Sequence, residues 1–144
     1  MPFYSCISKE NLLSNAQKDR IAVGITDIHC QLTGAPRHFV HVVFENYAPS
    51  DGYSGGKLSN VVFIRGSVRA GRSQEVKEAM LSQFTKLWQT VSPETDLHDI
   101  LVSLLETPGT NVMEGGILMP HPKDDAEWLA KHGHAHEAAA QSVL

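Results

Sequence analysis

Four short apolar runs alternate with longer stretches in which apolar residues recur every three to five positions. The first run, PFYSCIS (residues 2–8), is short and β-prone. Behind it Ala16, Ile21, Ile25, Ile28 and Leu32 fall on one side of a helical wheel, the spacing of an amphipathic helix. Ser14 stands where an N-cap belongs and Gly34 where a left-handed C′ residue belongs, and Pro36 forbids continuation. HFVHVVFEN (38–46), rich in Val and Phe, reads as a second strand, and YAPSDGYSGGK (47–57), dense in Gly, Ser, Pro and Asp, as a loop. SNVVFIRGSV (59–68) makes a third strand. The turn RAGRS follows, and Ser73 caps a second helix, SQEVKEAMLSQFTKLWQTV, with Val76, Met80, Phe84, Leu87 and Trp88 along one side. HDILVSLLE (98–106) makes the fourth strand.

The order is therefore β-α-β, loop, β-α-β, an internal structural repeat with weak residue identity. Each unit has a plausible size for a right-handed crossover between parallel strands. The fold class that follows is α/β: a four-stranded sheet with both helices on one face. The other face needs cover as well, because the strands carry apolar residues at both parities: Val40, Val42 and Phe44 on one, Val43 on the other. That pattern implies oligomerisation. Beyond the fourth strand the chain turns polar. ILM (117–119) reads as a short strand reaching a neighbouring subunit, DDAEWLAKHG as a short helix anchored by Trp128, and about 131–144 as a flexible tail.

Length and composition narrow the class. At 144 residues the chain is one domain, 1–144, large enough to bury a core. A net charge of −4 argues against a nucleic-acid partner. No apolar run approaches the roughly 18 residues of a membrane span, and no signal segment is visible. Cys6 and Cys30 form neither a CxxC pair nor a disulfide framework, which points to a reducing, cytoplasmic setting.

The candidate chemistry is scattered. Pro2 follows the initiator Met, and trimming of Met1 would expose a secondary amine able to act as base or acid; equally, Pro2 simply begins a strand. Arg69 and Arg72, in VRAGRS, lie between a strand and a helix N-terminus. They would make a carboxylate clamp, with the glycine between them allowing a tight turn; taken alone they also read as solvated loop arginines. His29 sits in the C-terminal half of the first helix, reaching a ligand or facing solvent or a subunit contact. Glu114 lies beside two glycines, where desolvation would raise its pKa toward general-base values; an ordinary loop glutamate has the same sequence. His121, His132, His134 and His136 invite a metal, but no surrounding strand or hydrogen-bonding framework accompanies them, and a disordered tail is the better reading. No P-loop, dinucleotide fingerprint or nucleophile elbow occurs, and no cofactor is implied.

Taken in order, Pro2, ITDIHCQLTG, VRAGRSQEVK and ETPGTNVMEGG resemble the tautomerase superfamily, in particular the cis-3-chloroacrylic acid dehalogenase family. The resemblance runs from Pro2 to about Leu129. It implies a homotrimer with the terminal proline at the base of a pocket, acting without cofactor or metal on a small unsaturated or 2-keto carboxylic acid. It further implies Pro2 as the catalytic amine, Glu114 as the group that activates water, and His29, Arg69 and Arg72 as substrate-binding residues. One position departs: Ser103 stands on the fourth strand where the family has a tyrosine that assists the glutamate. The activity implied is hydration or dehalogenation, weakened at Ser103. The alternatives are a keto–enol tautomerase of phenylpyruvate type or a non-catalytic trimeric carboxylate-binding protein.

Overall fold

The computed structural model describes residues 1–141, with side chains to Gly133. The chain runs β1 (Phe3–Lys9), α1 (Asn15–Thr33), β2 (His41–Tyr47), β3 (Tyr53–Ser54), β4 (Lys57–Leu58), β5 (Val62–Arg69), α2 (Gln74–Val91), β6 (Ile100–Thr107), β7 (Met113–Glu114), β8 (Ile117–Leu118) and α3 (Asp125–Gln141). The main sheet has the order β2-β1-β5-β6. Each β-α-β unit contributes a parallel pair, β1 with β2 and β5 with β6. The two units meet through the antiparallel pair β1–β5.

Local chemistry fixes both crossover helices. Ser14 caps α1 in a full capping box with Gln17, and Gly34 ends it in the left-handed conformation at φ 73°. Ser73 caps α2 through the amide of Val76. Ile21 and Ile25 of α1, and Met80, Phe84 and Trp88 of α2, are completely buried against Tyr4, Cys6, Val62 and Ile64 of the central strands. Val42 and Phe44 of β2 and Val102 and Leu104 of β6 extend the same core outward. Both helices thus cover one face, as the alternation along the strands requires. The other face leaves Phe3, Val43, Leu101 and Leu105 exposed.

Three features differ from the sequence pattern. The strands β2 and β6 begin later than expected because Arg37–Phe39 and Leu97–Asp99 tighten into single 3₁₀ turns. The turn at 37–39 buries Phe39, and Asp96 caps the turn at 97–99. The stretch 47–57 is not all loop, since β3 and β4 pair across Gly55 and Gly56. The Gly-Gly dipeptide was the hairpin signal, both residues adopting positive φ. The second half repeats the device: β7 and β8 pair across Gly115 and Gly116. The ILM strand therefore finds its partner within its own chain, at Met113–Glu114. Finally, α3 continues to Gln141 instead of stopping near Gly133.

Candidate active site

A narrow pocket opens at one end of the sheet. The start of β1 (Met1, Pro2), the end of β5 (Val68, Arg69) with Arg72, the end of α1 and the turn after it (His29, Ala35, Pro36, Phe39), and Met119, Asp125, Trp128 and Leu129 from the last part of the chain line it. Sheet topology accounts for this meeting. β1 and β5 are antiparallel, with Phe3 opposite Ser67, so the start of β1 lies beside the end of β5. The crossover helix α1 ends over the same rim.

Pro2 is buried. Its carbonyl accepts a hydrogen bond from the His41 amide at 3.0 Å, which extends the β1–β2 ladder by one residue and fixes the amino terminus. With Met1 in place, the terminal amine has its pKa lowered to about 6. Burial is the main cause and Arg69 adds to it, while Glu114 and Asp125 oppose them.

His29 is 3% exposed and belongs to the buried stripe of α1 with Ile21 and Ile25. Its Nδ1 lies 2.7 Å from the hydroxyl of Tyr4. The Tyr4 ring is fully buried and packs edge-on against Phe84. With no other acceptor for the hydroxyl proton among the described residues, we assign Tyr4 as donor to Nδ1, which leaves the imidazole proton on Nε2. Burial first, then Arg72, lowers the His29 pKa to about 3. The ring is neutral at physiological pH, and it lines the pocket.

Arg69 is 8% exposed, so it is no solvated loop residue. Its fork is already engaged: Nη1 and Nη2 lie 2.8 and 2.9 Å from the two oxygens of Asp125, and Nη1 also donates to the Pro120 carbonyl at 2.6 Å. Arg72 is held more loosely. Its Nη1 donates to the Thr33 carbonyl at 3.3 Å, and its Nη2 is 3.7 Å from Asp125. Gly71 between them has φ +114°, and a side chain there would press on Pro122 and His121.

Glu114 ends β7, at the position that Ser54 holds in the first hairpin. One oxygen pairs with His41 Nε2 at 2.7 Å. The other, Oε2, is buried without a hydrogen-bond partner. A buried carboxylate oxygen lacking a donor is costly and is suited to receive one from a bound molecule. Glu114 is outside the pocket lining but acts on the terminal amine through space.

The fold thus brings Pro2, His29, Arg69 and Arg72 round one pocket, with Glu114 within electrostatic reach of the amino terminus. It does not bring Ser103 to them. That residue lies on the open face of the sheet, in a shallow concavity with Ile7, Phe63, Arg65 and Leu101. Sequence reasoning missed Tyr4, His41 and Asp125. His41 carried the only available signal, a polar residue at the start of an apolar strand; Tyr4 looked like core, and Asp125 like one acid among several. Of the histidines considered for metal, His121 caps a turn through the Lys123 amide and His132 stacks on Trp128, while His134 and His136 lie outside the described side chains. Among the described residues no group of three or more His, Cys, Asp or Glu is placed to hold a metal ion. No helix among them is long and apolar enough to cross a membrane.

This chain belongs to the tautomerase superfamily: residues 1–133 match the family described as "Putative oxalocrotonate tautomerase enzyme". Among solved structures it is similar to N1, a member of the cis-3-chloroacrylic acid dehalogenase family, with 28% identity, a TM-score of 0.82, and coverage of 89% of this chain and 90% of that one. Native Ps01740 is 33% identical with a TM-score of 0.76, over 78% of this chain and 99% of its own. A symmetric trimer of a fused 4-OT shares the fold at 21% identity and a TM-score of 0.74, over 81% and 94% of the two chains. No curated protein matches the sequence.

The His29 geometry makes a pH prediction. Its pKa in the folded chain is about 3, against an ordinary value of 6.5. As pH falls below about 6.5 the unfolded chain takes up a proton that the folded chain refuses, so stability present above 6.5 is progressively lost toward pH 3. Ring carbon NMR should show His29 untitrated between pH 8 and 5; a midpoint near 6.5 would mean that the ring is not held as described.

Proposed function

We propose that the protein adds water across the double bond of a small 2,3-unsaturated carboxylic acid, expelling halide where C3 carries one. The observation that supports this most is Glu114, which has one oxygen held by His41 and the other buried and unpaired, on the approach to an amino terminus that it influences electrostatically. The kinship with the cis-3-chloroacrylic acid dehalogenase family points the same way.

The steps follow from the side chains. Met1 is removed, leaving Pro2 as the amine. Arg72 receives the substrate carboxylate, with Arg69 beside it adding positive field, and His29 Nε2–H donates to it. Glu114 takes a proton from water as the water oxygen bonds to C3. The C2=C3 electron pair moves toward the carboxylate, and the guanidinium charge stabilises the resulting enediolate. Protonated Pro2 delivers its proton to C2. A 3-halo product then loses halide from C3 as its hydroxyl proton leaves, giving malonate semialdehyde.

A second reading has its own observation. Burial and the Arg69 charge lower the pKa of the amine of Met1; the same surroundings acting on a Pro2 amine would favour its free form, and a free amine is a base. On a 2-keto acid, Pro2 would take the proton from C3 while the arginines hold the carboxylate and the developing enolate, which is keto–enol tautomerisation. The two readings diverge with pH. Hydration falls as pH rises through the Pro2 pKa, whereas tautomerisation rises. Proton NMR with acrylate, cis-3-chloroacrylate and phenylpyruvate separates them.

In that assay Pro2→Ala and Glu114→Gln should each reduce hydration at least a hundredfold. Arg72→Ala should weaken substrate capture by ten- to a hundredfold, the loss of one charge-assisted contact of about 1.5–3 kcal/mol. Wild-type rates in Glu114→Gln would remove the water-activating role. No turnover of any acid by wild type, with carboxylates still bound, would leave the protein a carboxylate-binding module.

We also infer a homotrimer, because the open sheet face carries exposed Phe3, Val43, Leu101 and Leu105, a patch that a single chain leaves in water. Light scattering at micromolar concentration should return three times the protomer mass, and Leu105→Lys should lower it. A monomeric wild type would overturn this.

A further inference from the structure

We propose that Asp125 determines which carboxylic acids the pocket accepts: it stands as an internal counter-anion on the arginine pair, leaves Arg72 to receive the ligand, and thereby selects small monocarboxylates over dicarboxylates. This rests on the reading of the pocket as a carboxylate site.

The geometry carries the argument. Asp125 turns both oxygens toward Arg69, one accepting a hydrogen bond from Nη2 at 2.9 Å and the other paired with Nη1 at 2.8 Å, the side of the guanidinium that a substrate carboxylate would take. The Pro120 carbonyl takes a further hydrogen bond from the same guanidinium. Both terminal nitrogens of Arg69 are therefore engaged from within the chain. Arg72 has only a long bond to Thr33 and a 3.7 Å approach to Asp125, so its donors are the ones a ligand can recruit. Asp125 begins α3, and that helix is itself anchored: the Trp128 indole donates to the Leu118 carbonyl at 2.9 Å and its ring packs on Phe39. The carboxylate is thus delivered to Arg69 by a seated element, and it lines the pocket together with Trp128 and Leu129.

Charge decides the selectivity. Asp125 offsets one of the two guanidinium charges, so the arginine pair presents one net positive charge to an incoming anion. One carboxylate completes that balance. A second carboxylate in so narrow a pocket would meet the negative field of Asp125 and Glu114, both of which reach the amino terminus, and the amine there is the only further cation it could find among the described lining residues. Had the aspartate been absent, the arginine pair would suit a dianion. Apolar lining from Met119, Trp128 and Leu129 likewise favours a ligand with one charged end and one uncharged end.

The test compares acrylate with fumarate by calorimetric titration, on the full-length protein, as wild type and as Asp125→Asn. Wild type should bind acrylate at least tenfold more tightly than fumarate. In Asp125→Asn, Arg69 is freed; acrylate binding should tighten about tenfold and the preference over fumarate should collapse. A folded Asp125→Asn with unchanged preference overturns the proposal, as does a wild type that binds fumarate as tightly as acrylate, a result that needs no variant. Turnover is assayed separately. Selectivity that shifts as stated in a protein lacking turnover supports the role of Asp125 and removes only the enzymatic reading. Turnover with selectivity unmoved by the variant does the reverse. Failure of both forms to bind either acid removes both.

Discussion

The antiparallel pairing of β1 with β5 is the constraint on which the site depends. Phe3 faces Ser67 in that register, so the first residues of the chain lie against the last residues of the third long strand. Every other part of the pocket is placed relative to this junction. β5 runs on into Arg69, and the Gly71 turn carries Arg72 back over the end of α1. β2 extends its ladder to the Pro2 carbonyl, and His41 at that point reaches Glu114. A slip of one residue in β1 would turn Tyr4 out of the core and away from His29.

The pocket is an electrostatic compromise. Burial and two guanidiniums depress the terminal amine, and two carboxylates oppose them. The His29 imidazole, which feels the arginines and the amino terminus, stays neutral, held by a phenol hydroxyl instead of a carboxylate. It can donate one hydrogen bond without adding a third cation. Burial also pushes the Arg72 pKa down, partly offset by Asp125. Such an arrangement suits an anion whose charge redistributes during reaction, since charge stabilisation strengthens where water is excluded.

Much of this was legible in the sequence, for identifiable reasons. The α1 and α2 boundaries were readable because Ser14, Gly34 and Ser73 act through local hydrogen bonds, and the sheet because its strands carry apolar residues at both parities. Pro2, His29, Arg69, Arg72 and Glu114 stood out through a resemblance of ordered motifs, since their meeting depends on strand order that spacing does not reveal. The hairpins were harder: two-residue strands have almost no periodicity, and only their Gly-Gly turns mark them. Asp125 was invisible because its importance comes from contact with Arg69, 56 positions away in the chain. The place of Ser103 was equally hidden: its parity on β6 turns it to the open face of the sheet with Leu101 and Leu105.

The central claim is that the fold delivers the amine of Pro2 into a carboxylate-binding pocket. Covalent capture tests it most directly. A 2-oxo-3-alkynoate carries a carboxylate for Arg72 and an alkyne carbon open to attack; the amine would bond to C4 and a proton would go to C3. Intact-mass and peptide mass spectrometry should find a single adduct per protomer, on a Pro2 that has lost Met1, and Arg72→Ala should slow its formation at least tenfold. Adducts on Cys30 or on lysines with Pro2 unmodified, or a Pro2 adduct formed at the same rate without Arg72, would contradict the account.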